Sequence, residues 1–227
     1  MRQPYLAFFA QMVQGLSPTM AGLIALPASL MVMMLTPMTG RLSDRYSPVG
    51  IIIFGLLMFM SGALFLSGGD INSSVVQLAI YAAICRIGMA CITPVLTAEA
   101  LRTVTQEQLN RASGTLNFYR QFGGALGINC LVASIEWRTE FHSDAITATQ
   151  AADNQATVEF LRDAGDMLRS GGLSPDASVG LALDYLGDII ATQAQSLAFQ
   201  DGYLLIAAVF AIAIFPAWIL SKARRAR

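Results

Sequence analysis

The stretch VGIIIFGLLMFMSGALFLS, Val49 to Ser67, carries no charged side chain, and its reading decides the fold. A hydrocarbon layer about 30 Å thick takes roughly 20 apolar residues in helical form to cross. A run of this length and apolarity is too long for a strand and reads as a membrane-spanning helix. On its amino-terminal side, Ser17 to Thr39 is equally uncharged, and Ser17-Pro18 offers an N-cap with proline in the first turn. On its carboxy-terminal side follow Ser74 to Ala98, interrupted only by Arg86, and Ala112 to Ile135, interrupted only by Arg120. The uncharged run Gly202 to Leu220 then ends at Ser221-Lys222.

These segments predict an all-α integral membrane protein with five full transmembrane helices, at about 17–39, 49–67, 74–98, 112–135 and 202–220. Pro4 to Val13 is apolar but about half the length needed to span, and reads as a partial N-terminal helix whose beginning is absent, with Met1 an internal start. No cleavable signal peptide is expected there. Only 13% of the chain is charged, against about 25% in soluble domains, so much of the surface must face lipid. A net charge of −1 gives no basic face for nucleic acid.

No cofactor or metal site is expected. Cys85, Cys91 and Cys130 lie in apolar runs and read as small core residues, and His142 is the single histidine. There is no nucleophile elbow, HExxH or glycine-rich phosphate loop, which excludes the familiar enzyme and ATPase motifs.

Basic residues set orientation. With Gly40–Pro48 on the cytoplasmic side, Arg41, Arg45, Arg102, Arg111, Lys222, Arg224, Arg225 and Arg227 all fall inside, so the C-terminus is expected in the cytoplasm. Most carboxylates fall on the other side, leaving Asp44, Glu99 and Glu107 near the inner face. The polar stretch 136–201 predicts an extracytoplasmic loop of two or three surface helices. In it Val158, Leu161, Met167 and Leu168 recur at helical spacing, as do Leu181, Leu183, Tyr185, Leu186, Ile189 and Ile190, with breaks at Gly171-Gly172 and Ser174-Pro175. Such a loop is either a cap over a transport path or a connector resting on protein or headgroups.

Several residues could carry function. In Gly40-Arg41-Leu42-Ser43-Asp44-Arg45, Gly40 is expected as a left-handed helix cap, with Asp44 just before the next helix. The charges there are either a conformational latch or an ordinary cytoplasmic loop. Arg86 stands at mid-span, where even a lenient insertion scale charges about 2.5–3.5 kcal/mol, so a watery cavity or a partner is required. Glu99 lies at the inner end of the third segment. In the fourth segment, Asn117 and Arg120 are cavity candidates, and Gly123, Gly124 and Gly127 give a GxxxG pattern suited to close helix packing. Pro27, Pro37, Pro94 and Pro216 predict kinks. The methionines Met31 to Met38 and Met58 to Met60 offer adaptable apolar surface, for greasy substrates or for lipid.

Taken in order, Gly15-Leu16-Ser17-Pro18, Ala21-Gly22, Leu26-Pro27, Gly40-Arg41-Leu42-Ser43-Asp44-Arg45, Arg86-Ile87-Gly88-Met89 before Pro94, Arg120-Gln121-Phe122-Gly123-Gly124-Ala125-Leu126-Gly127 and Asp201-Gly202-Tyr203 resemble the second half of the major facilitator superfamily. More narrowly, they are similar to its fourteen-span drug:proton antiporter branch. The resemblance implies that 1–227 is a partial transporter domain, part of the C-terminal bundle of a multi-pass multidrug efflux permease of the cell (inner) membrane.

Its implied partners are the lipid bilayer, amphipathic small-molecule substrates and protons. Gly40, Arg41, Asp44 and Arg45 would be the gating loop, and Arg86, Glu99, Asn117 and Arg120 would lie near the central cavity. The family loop usually ends in basic residues, whereas Ser47-Pro48-Val49 stands here. The family's missing N-terminal half is expected to be required for transport. The alternative is a non-transporting membrane subunit or an inactive truncated fragment.

Overall fold

The computed structural model describes residues 32–43, 45–69, 74–102, 104–150 and 154–225. The partial N-terminal helix, most of the first predicted span, Pro27, and Asp44 lie outside the described residues. Everything regular that is described is helical, with no strand among the described residues. A helical stretch over 32–43 is followed by α1 (Pro48–Ser67), α2 (Val75–Arg102), a short 3-10 turn (Gln106–Gln108), α3 (Leu109–Thr149), α4 (Gln155–Ser170) and α5 (Pro175–Arg225).

Local chemistry explains the boundaries. Pro48 opens α1, where its missing N–H costs no helical bond. After Ser67 the chain turns at Gly68 and Gly69, the Gly69 amide donating to the Leu66 carbonyl at 3.0 Å. Asn154 caps α4, its side-chain oxygen accepting from the Ala156 amide at 3.1 Å. Gly172, at φ 94°, ends that helix in the left-handed region open to glycine. The Leu173 amide donates back to the Leu168 carbonyl at 3.4 Å, and Pro175 opens α5. The predicted breaks at Gly171-Gly172 and Ser174-Pro175 therefore fall where the helix breaks.

The predicted loop differs from the structure in one respect. Segment 136–201 is not a set of separate surface helices. The α3 helix continues unbroken to Thr149 and α5 is already formed from Pro175, leaving only α4 as an independent helix. From Glu136 to Thr149 the sequence has no Gly or Pro. The change from apolar to polar there alters the solvent each face prefers without giving the backbone a reason to stop.

Among the described residues, three helices are long and apolar enough to cross a membrane by length and composition: Pro48–Ser67, Val76–Arg102 and Pro175–Ile219. The segment 112–135 forms the front of α3, where Asn117, Arg120, Gln121 and the glycines dilute the apolar character. Pro94 and Pro216 sit inside helices that continue through them.

The chain divides into two compact units, residues 1–133 with 200–227, and residues 134–199. In the first, Ile51, Ile52 and Leu56 of α1, Cys91 and Val95 of α2, and Ala217 of α5 form a buried cluster, with Phe210, Ala213 and Ile214 packed against it. The Phe59 and Phe210 rings stack at 4.0 Å. In the second unit, Ser178, Ala182, Ala194, Ser196 and Ala198 are fully enclosed, and Phe160 stacks on Tyr185 at 6.0 Å.

Candidate translocation site

The closest approach in the first unit is between α1 and α2. A Cβ on Gly55 would lie 2.8 Å from the Gly88 carbonyl oxygen, and one on Gly88 would lie 2.6 Å from that of Gly55. A turn and more along, a Cβ on Gly62 would meet the Cys85 sulfur at 2.6 Å. Backbone meets backbone at this crossing, an arrangement available only where side chains are absent. The helical stretch 32–43 joins α2 through buried Thr39, whose hydroxyl donates to the Ala90 carbonyl at 3.0 Å. Gln200, at the start of the first unit's share of α5, donates to the Gly69 carbonyl at 2.8 Å.

These fixed helices position the predicted site residues. Arg86 stands mid-way along α2, half-buried, one residue past buried Cys85. Among the described residues it makes no hydrogen bond or ion pair. Glu99, with its side chain 12% exposed, is paired instead with Arg102, one turn on, at 3.1 Å. Arg86 and Glu99 are separated by about 20 Å of helix, so they cannot neutralise each other. On α3, Arg120 donates to the Asn117 side-chain oxygen at 2.8 Å, and both residues are exposed.

Two expectations are corrected. Gly40 is not a left-handed cap: it lies within the helix, and among the described residues Gly172 alone has a positive φ. Its carbonyl accepts from the Ser43 hydroxyl at 2.7 Å, and the turn continues to Tyr46, whose amide donates to the Leu42 carbonyl at 2.9 Å. The expected loop is therefore largely helix, because nothing disfavours the helical state before Ser47, the residue preceding Pro48. Arg41 and Arg45 are both exposed. The second correction concerns Cys130, which is exposed, while Cys85 and Cys91 are buried as expected. It rides on α3, where Leu131 is the one buried residue among those described.

The GxxxG face behaves in the opposite way to the α1–α2 crossing. A Cβ on Gly123 or Gly127 would meet nothing within 4 Å. Sequence reasoning assigned packing to these glycines, passed over Gly55 and Gly62, and met Gly88 only as part of the family motif, yet Gly55, Gly62 and Gly88 do the packing. The seven-residue spacing of Gly55 and Gly62 would have placed both on one helix face. Tyr203 was likewise unassigned: it is 8% exposed, and its hydroxyl has no hydrogen-bond partner among the described residues.

A chain built of long apolar helices, with a lone arginine at mid-span and glycines at the crossing, defines a multi-pass membrane protein. The sequence profile of the Major Facilitator Superfamily matches residues 3–128, and the chain belongs to that family. It is similar to the Multidrug transporter protein MdtP of Bacillus subtilis, 26% identical over 235 residues, covering 96% of this chain and 43% of that protein. To the Multidrug resistance protein Stp of Mycobacterium tuberculosis it is 35% identical over 124 residues, covering 54% of this chain and 23% of Stp. The Lincomycin resistance protein LmrB of Listeria monocytogenes is 24% identical over 122 residues, 54% of this chain and 26% of LmrB. The chain spans less than half the length of these relatives.

Proposed function

We propose that the chain serves secondary active efflux of amphipathic small molecules, by antiport against protons, across the cell (inner) membrane. The observation that carries this reading is the similarity to a multidrug transporter along 96% of the chain, within a family of transporters rather than enzymes. The site chemistry supports it. Arg86 is a charge at mid-span with no neutralising partner among the described residues, which suits a watery path rather than a structural ion pair. Glu99, largely enclosed near the cytoplasmic end of α2, is the acid we assign to proton exchange. In this reading residues 136–201 face outward and the C-terminus is cytoplasmic.

Efflux in this proposal also takes a complementary helical bundle, in the same or another polypeptide. The open glycine face of α3 favours that requirement, because a helix of this kind has its natural neighbour elsewhere. By itself the chain would then be a membrane subunit without transport. Ethidium efflux from sensitive cells tests both parts. Efflux is expected when the chain is produced with a complementary bundle of a relative such as MdtP, and is expected to vanish with Arg86→Ala at equal membrane level. Efflux unaffected by Arg86→Ala would overturn the role of Arg86. Efflux by the chain alone would overturn the need for a complement.

A further inference from the structure

We propose that the unit formed by residues 134–199 carries a binding cleft of its own for amphipathic organic cations, between α4 and the first turns of α5. The cleft has a volume of about 490 Å3, within the usual range for small-molecule sites. Ala164, Met167 and Leu168 on α4 face Leu181, Ala182 and Tyr185 on α5. Each set follows the three-and-four spacing of a single helix face. Ala182 is almost wholly enclosed and forms the floor, whereas Met167, 79% exposed, forms a movable wall. The Tyr185 ring is held by stacking on Phe160 and presents an aromatic surface.

Charge chooses the occupant. Asp184 and Asp188, one turn apart, line the same cleft. Between residues 154 and 199 the cations are Arg162 and Arg169, against Glu159, Asp163, Asp166, Asp176, Asp184 and Asp188. Both arginines are already engaged, Arg162 with Asp163 at 3.7 Å and Arg169 with Asp166 at 2.9 Å. Asp184 and Asp188 form no ion pair among the described residues. An apolar cleft with an aromatic wall and two unneutralised carboxylates fits a flat or globular hydrophobic cation: its rings contact Met167, Leu168 and Tyr185 while its charge lies beside the carboxylates. A neutral molecule of the same shape gains only the apolar part. The inference takes the source of its ligand from the efflux reading, but the binding itself does not depend on transport.

Equilibrium dialysis of the purified full chain in detergent provides the test, with tetraphenylphosphonium as the cation and triphenylphosphine oxide as the neutral comparator. The pair Asp184→Asn with Asp188→Asn is expected to weaken tetraphenylphosphonium binding about tenfold and to leave the phosphine oxide unchanged. Glu140→Gln with Asp144→Asn, exposed on α3 and outside the cleft lining, removes the same charge and is expected to change neither. Ala164→Leu fills the cleft without touching charge and should weaken both ligands. Unchanged cation affinity in the cleft variants overturns the proposal, as does equal weakening by the distant pair or equal loss of both probes in the Asp184/Asp188 pair. Dye efflux in cells that produce the chain with a complementary bundle is read separately. Its absence with intact cleft binding defeats the efflux reading alone, and its presence with unchanged binding in the cleft variants defeats the cleft alone.

Discussion

Gly55 and Gly88 meet carbonyl against backbone, so that a Cβ on either would stand under 3 Å from the other's carbonyl oxygen. With Gly62 against Cys85, this makes α1 and α2 a pair with no slack for another carbon atom. Backbone atoms lie within 3 Å at all three glycines, and these cannot rotate away as a side-chain tip could. Overpacking of such a contact costs about 1–3 kcal/mol.

Gly88→Ala and Gly55→Ala are therefore expected to lower the thermal midpoint of the purified chain in detergent by several degrees, with Gly88→Val worse. Gly123→Ala and Gly127→Ala, which meet open space inside a helix, should leave it unchanged or raise it slightly. Equal effects at the two sets of glycines would show that the crossing does not set stability.

Thr39→Val keeps the side chain's shape and removes the hydrogen bond to the Ala90 carbonyl. Polar contacts between membrane helices are worth about 0.6 kcal/mol on average and up to about 1.7. A small, reproducible fall in thermal midpoint is expected, and Thr39→Ser should recover most of it. A Thr39→Val chain as stable as the parent would mean that the bond contributes nothing net.

Arg86 and Glu99 separate by their phenotypes. Arg86→Gln is expected to abolish dye efflux by the complemented chain without reducing its amount in the membrane, and Arg86→Lys to restore part of it. Glu99→Gln should change stability by less than about 1 kcal/mol, because its partner Arg102 is half exposed and screened by water. It should nonetheless abolish proton uptake coupled to efflux in proteoliposomes. Wild-type proton flux in Glu99→Gln would remove Glu99 from the coupling path.

Orientation is open to direct labelling in chains whose own cysteines are replaced by serine. Ser174→Cys, exposed between α4 and α5, is expected to react with a membrane-impermeant maleimide on intact cells. Thr105→Cys, exposed between α2 and α3, should react only after permeabilisation. The reverse pattern would invert the proposed topology.

Much of the helical layout was legible, because apolar length and helix breakers are written locally. The run 49–67 falls within α1, the run 74–98 starts one residue before α2, and Gly171-Gly172 with Ser174-Pro175 mark the break before α5. Helix ends without a breaker were not legible: Ile135 and Gly202 mark changes of polarity, and α3 and α5 pass through both. The packing face was hidden for a related reason. In α1 nearly every position is apolar, so no stripe separates the side that meets α2 from the side that does not. Gly55 and Gly62 were marked by small size, a mark that Gly50 shares without packing against α2. The solitary charges Arg86 and Arg120 were conspicuous against lipid, but their partners depend on tertiary structure. Arg120 found Asn117 on its own helix.

The first unit's share of α5, residues 200–225, has a consequence for the lipid around it. By helical rise it is about 39 Å long, more than the thickness of the hydrocarbon layer. A thicker or thinner membrane can be matched by tilting this segment, with no loop to remake.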